Sequence, residues 1–193
     1  MGYLLFLIPP FLLSLYAQWR VKSAFSEMSR VPANMTGAAA ARRMLDSAGL
    51  HSIPIERVAG ELSDHYDPSS KVVRLSQEVY DGRSMAALGV ACHEVGHAIQ
   101  HKEHYPALVL RHRMFPVVNI ASGIAPFLLI AGFLFSSFNL IGLGIIFFSA
   151  AVAFQLVTLP VEFNASSRAR RLMVAEGFIA GDEERGVAKV LNA

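Results

Sequence analysis

The chain has 193 residues, of which 53% are hydrophobic and 17% charged, with a formal net charge of +2. Residues 1–19 and 114–161 contain no Asp, Glu, Lys or Arg, so all 17 basic and 15 acidic side chains lie in the remainder. This uneven spread excludes a simple soluble globule, a disordered chain and a coiled coil, and the small net charge points to no nucleic-acid partner.

Segment 1–19 is apolar from Tyr3 to Trp19 and interrupted by Pro9-Pro10. No basic residue precedes Arg20 and no small-residue cleavage site follows, so the segment reads as a retained, kinked transmembrane anchor. Tyr16 and Trp19 suit the membrane interface, with Arg20 and Lys22 just beyond it. Segment 20–113 has an ordinary polar composition and is long enough for one modest domain. Thr36–Ala48 is predicted as a helix capped by Thr36 and ended by Gly49. Ile53–Val58 and Lys71–Leu75 have strand composition, with 63–70 between them as a turn or loop. Ser84–His101 is predicted as a helix with Ser84 as its N-cap. Cys92 is the single cysteine, so no internal disulfide forms, and it reads as a small buried residue.

Segment 114–161 is too long for one crossing, which takes roughly 20 apolar residues. It suits a transmembrane hairpin with spans near Phe115–Phe135 and Leu140–Leu159 and a turn at Ser136–Asn139. Gly123, Gly132, Gly142 and Gly144 would allow close helix contact. After Pro160, segment 162–193 is predicted to hold a helix over Glu162–Glu176 and a last short helix over Asp182–Leu191. Every Lys and Arg lies in 20–113 or 162–193. By the positive-inside rule both segments face the cytoplasm, with the N-terminus and hairpin turn outside. Membrane lipid is therefore an expected partner. Arg168, Arg170 and Arg171 would sit at anionic headgroups.

The residues that carry chemistry are His93-Glu94-Val95-Gly96-His97, an H-E-x-x-H pattern inside a predicted helix. Histidines at i and i+4 project from one helical face and can grip one Zn²⁺. The intervening Glu94 is placed to act as a general base toward water. A catalytic zinc takes three protein ligands and keeps one position open. Position 103, six residues after His97, is Glu103 rather than histidine, and His101 lies two turns from His93. The third ligand therefore comes from elsewhere. Glu162 is the leading candidate: it is the first charge after the uncharged run, and the hairpin returns it to the side that holds His93 and His97. The alternatives are His65, Asp67, His104 and His112, with Glu162 instead pairing an arginine such as Arg168.

Four strings together resemble the YugP-like neutral zinc metallopeptidases, bacterial membrane proteins related in motif to the gluzincins. They are Asp64–Pro68, Lys71–Ser76, His93–Gln100 and Leu159–Ser166, and the likeness extends over nearly the whole chain. The resemblance implies a mainly α fold with a small β-sheet, a zincin-like α+β domain, plus transmembrane helices. It also implies a zinc peptidase acting on a protein or peptide substrate. His93 and His97 would be ligands, Glu94 the catalytic base and Glu162 the third ligand. Two departures stand out. Many gluzincins carry an Asp four residues after the third ligand, which buttresses a zinc histidine. Ser166 occupies that position here, so either Asn164 or another residue takes over the task or it is not done. Family members also usually continue into a further hydrophobic helix, whereas this sequence stops at Ala193, as a short member or with a fourth span beyond it.

On this reading the oxyanion donor would come from His65, Tyr66, His112 or Arg168. The Lys71–Leu75 strand would either pair with an extended substrate or form a sheet edge over the zinc helix. Rival classes are a zinc-binding membrane protein that does not cut, which has no need of Glu94, and a protease acting inside the bilayer. The second is disfavoured because Arg83 and Lys102 flank the motif. A transporter is a third, and uncharged spans give it no ion path.

Overall fold

The computed structural model describes residues 8–193; residues 1–7 of the expected anchor lie outside the described residues. Two compact units divide the chain, one built from residues up to Ile99 together with Ala165–Ala193, the other from Gln100–Asn164.

The first unit begins with helix α1 (Ile8–Met28), which leaves Phe11, Leu12, Leu13, Tyr16 and Trp19 exposed. Pro9 and Pro10 fall in the first turn of α1, where a missing N–H costs no helical hydrogen bond. Helix α2 (Gly37–Ser47) is capped as expected: Thr36 Oγ1 accepts from Ala39 N at 3.1 Å. Its alanines 40 and 41, with Met44 and Leu45, are buried in the core.

Strands β1 (Ile55–Val58), β2 (His65–Asp67) and β3 (Val72–Ser76) form a sheet in the order β1-β3-β2. β1 pairs β3 in parallel and β2 pairs it antiparallel. Two expectations are corrected here. Segment 63–70, predicted as turn or loop, contains β2. Its strand state comes from pairing with β3, and Asp67 builds the tight return by accepting from Ser69 N at 2.9 Å. The Lys71–Leu75 strand is not a sheet edge: β3 is central and its two sides are covered by β1 and β2. It therefore has no edge to offer a substrate. Its Val72, Val73 and Leu75 are buried instead.

The short α3 (Gln77–Asp81) leads to α4 (Met85–Lys102), the helix that carries the H-E-x-x-H residues. Ser84 caps α4 as expected, its Oγ accepting from Ala87 N at 3.2 Å. Leu88, Ala91, Cys92 and Val95 of α4 join Met44, Leu45, Val73, Leu75 and Met173 in one core. Helix α7 (Asp182–Leu191) matches its predicted bounds and carries three acidic residues in its first turn, where they complement the helix dipole.

The second unit contains the apolar helix α5 (Pro106–Leu134) and the apolar part of α6 (Phe138–Ala175). Both are long and apolar enough to cross a membrane. They meet at a tight turn closed by Ser137 N donating to Gly132 O at 2.8 Å. Gly132 and Gly144 do allow close contact: a Cβ on Gly132 would lie 2.8 Å from Ile141 N, and one on Gly144 2.8 Å from the Leu129 side chain. Gly123 and Gly142 face open space. The span expected over Leu140–Leu159 and the helix expected over Glu162–Glu176 are one helix, because α6 runs unbroken through Pro160 from Phe138 to Ala175. Apolar helices tolerate an internal proline when the freed backbone groups find other partners.

Candidate metal centre

The apolar composition of α4 buries it on nearly every side, and the two histidines emerge on its one half-open face. His93 and His97 are half-buried, with ring centroids 4.8 Å apart and planes at 88°. Glu94 is buried and accepts a hydrogen bond from Tyr66 N, on β2, at 3.0 Å. That backbone donor fixes one carboxylate oxygen beside the histidine face. Cys92 points into the core, as expected, and burial pushes its thiol up to about 12.

The end of α6 approaches α4 through a glycine. A Cβ at Gly96 would lie 2.8 Å from Ala165 O and 3.2 Å from Ala165 Cα, a spacing only hydrogen permits. The next residue, Ser166, brings its Oγ to 3.1 Å from His93 Nδ1. Ser166 itself, and not Asn164, is thus the residue that meets the His93 ring nitrogen. Asn164 Oδ1 accepts from Gln100 Nε2 at 2.9 Å, and the same nitrogen donates to Val161 O at 2.8 Å. Gln100 is fully buried. Its role left only a faint trace in sequence: an amide directly after an apolar helical run.

Glu162 stands one helical turn before Ser166 on α6. Residues four apart on a helix share a face, so the helix that presents Ser166 to His93 carries Glu162 on the same side. Among the described residues, His93, His97 and Glu162 form the one group of His, Cys, Asp and Glu that could hold a metal ion. Two imidazole nitrogens and one carboxylate oxygen match what Zn²⁺ takes at sites with one position left open. The donor set therefore fits zinc. Glu162 also pairs with an arginine, its Oε1 lying 3.2 Å from Arg111 Nη1. Outer hydrogen bonds of this kind are usual around ligating carboxylates.

None of the other third-ligand candidates belongs to this group. Asp67 receives Ser69, Ser70 and Arg74, with Arg74 Nη1 at 2.8 Å. His65 Nδ1 lies 2.7 Å from Ser63 O. His112 packs edge-on against His101, and His104 is exposed. Of the oxyanion candidates, Tyr66 packs against the core cluster.

A family model described as "Putative neutral zinc metallopeptidase" matches residues 3–193. The chain belongs to this family. It is 63% identical over 183 residues to the "Putative membrane protease YugP" of Bacillus subtilis (strain 168), a match covering 94% of this chain and 81% of that protein. No solved structure matches the chain. With its two long apolar helices and its group of metal-capable side chains, it is a membrane-associated member of a metallopeptidase family.

Proposed function

We propose that the chain is a membrane-anchored zinc metallopeptidase that hydrolyses peptide bonds of proteins or peptides. Its site would lie at the cytoplasmic membrane surface, carried by the polar segments 20–113 and 162–193. The observation that carries the proposal is the meeting of two elements: α4 offers His93, Glu94 and His97, and α6 presents Ser166 to His93 with Glu162 one turn away.

His93, His97 and Glu162 would hold the zinc. When bound, zinc supplies a Lewis acid that polarises the scissile carbonyl and acidifies water toward neutral pH. Glu94 takes the proton from the attacking water on one carboxylate oxygen and later delivers it to the leaving amine. The Tyr66 N–H holds the Glu94 carboxylate in place for both transfers. Arg111, 3.2 Å away, would orient the Glu162 carboxylate. The cytoplasmic placement follows from the distribution of Lys and Arg, since none precedes residue 20 or lies in the hairpin turn.

The test is metal content of the full chain purified in detergent, alongside hydrolysis of an unstructured protein such as casein. The wild type is expected to carry about one zinc per chain, and Glu162→Ala and His97→Ala to lose it together with hydrolysis. Unchanged zinc in Glu162→Ala would remove Glu162 from the ligand set. Hydrolysis by metal-free wild type would remove the zinc mechanism.

A further inference from the structure

Ser166 differs from an aspartate in one chemical respect that the structure resolves. A carboxylate only accepts, so it can hold only the N–H form of an imidazole nitrogen. A hydroxyl both donates and accepts. Left to rotate, it stabilises either tautomer of His93 equally well.

The rotation is decided by a third group. Ser166 is buried, and its Oγ donates to Leu191 O at 3.3 Å while lying 3.1 Å from His93 Nδ1. A carbonyl oxygen only accepts, so the single hydroxyl proton is committed to Leu191. The Ser166 oxygen must then accept from His93, which places the proton on Nδ1 and leaves the lone pair on Nε2. Leu191 is the last residue of α7, and α7 is held from two directions. Val187 packs 3.5 Å from where a Cβ on Gly89 would stand, one turn before His93 on α4. On the other side α1 grips it, with Lys189 Nζ 2.6 Å from Glu27 Oε2 and Arg20 Nη2 donating to Asn192 O at 3.0 Å.

We infer that Ser166 is a positioning residue whose hydroxyl, oriented by the Leu191 carbonyl of α7, fixes His93 in the Nδ1–H tautomer and so presents Nε2 as the metal ligand. The C-terminal helix thereby belongs to the metal centre, and a serine does the work of a carboxylate because a carbonyl takes its proton. This rests on the reading of His93 as a zinc ligand, but the tautomer is a property of the metal-free protein.

The experiment therefore reads both. Full-length chain labelled with ¹⁵N-histidine is studied metal-free in detergent at about pH 8, where an ordinary imidazole is neutral. The ring nitrogen shifts of His93, assigned by its absence in His93→Ala, report the tautomer. Zinc affinity is measured by chelator competition. The wild type is expected to show Nδ1–H. Ser166→Ala is expected to lose that preference and to bind zinc about 10- to 100-fold more weakly, the usual cost of removing such a partner. Ser166→Asp, an acceptor that needs no orienting carbonyl, is expected to restore both. An Nε2–H tautomer in the wild type overturns the inference, and this holds even if Ser166→Ala does not fold. So does a Ser166→Ala protein with unchanged tautomer or with zinc affinity within twofold of wild type. If instead His93→Ala binds zinc as wild type does, the zinc reading fails while the tautomer result stands by itself.

Discussion

Glu94 is buried and its Oε2 accepts a hydrogen bond from the Tyr66 backbone N–H. A glutamine can keep that bond through its amide oxygen while losing the ability to take a proton. Glu94→Gln should therefore fold and bind zinc like wild type, yet lose hydrolysis by about 100-fold or more, the range general-base catalysis contributes. Zinc content and casein turnover on the same preparation check this; retained turnover sinks the role. Asp67 invites a different test. The hydroxyls of Ser69 and Ser70, then Arg74, hold its carboxyl well below the usual range. A depressed folded-state pKa gives stability that is complete above about pH 4 and is lost as pH falls through the folded value. Asp67→Asn should thus melt lower than wild type at neutral pH, with the gap narrowing in acid. A gap that is constant with pH would assign the loss to packing. The H-E-x-x-H residues were legible in sequence because their spacing is itself the geometry. The role of Ser166 was not, because its two partners lie 73 residues before it and 25 after.

Helices α2, α4 and α7 and the two longer strands were legible at the level of elements because each carries its own composition and end signals, whereas the five-residue α3 went unread. β2 was hidden: three residues inside an Asp-, Ser- and Pro-containing stretch have no period to read, and only β3 makes them a strand. That same pairing turned β3 from a presumed edge into the sheet centre. The glycines of α4 show why local rules alone mislead. Gly89 and Gly96 look alike in sequence, and either replaced by alanine should gain about 1 kcal/mol of helix propensity. Their surroundings differ. A Cβ at Gly89 meets Val187 at an ordinary 3.5 Å, whereas one at Gly96 meets the Ala165 backbone at 2.8 Å. Gly89→Ala should be neutral or stabilising. Gly96→Ala should cost about 1–3 kcal/mol by overpacking and weaken zinc binding as α6 is pushed back. Thermal unfolding of the two variants in detergent separates these outcomes, and equal melting temperatures would mean that α6 yields without resistance.

For the whole molecule, the proposed function takes the long uncharged run as a there-and-back crossing with Glu162 at its returning end. This requires residues 20–113 and 162–193 on one side of the bilayer and the hairpin turn on the other. Basic residues favour the cytoplasmic side for both polar segments. The molecule carries its own convenience for testing this. Its one thiol, Cys92, is buried with its pKa pushed up to about 12, so the reactive thiolate is scarce at neutral pH and the native cysteine stays silent to maleimides. Introduced cysteines can then be read against a blank background. Asn139→Cys, at the exposed start of α6, should react with a membrane-impermeant maleimide added to intact cells. Ser52→Cys, on the exposed surface before β1, should react only after permeabilisation. Reaction of both from outside, or of Ser52→Cys alone, would invert or abolish the proposed orientation. Either result would also change the substrates within reach, because a site facing outward meets secreted and surface chains, whereas one facing inward meets the cytoplasmic segments of membrane proteins.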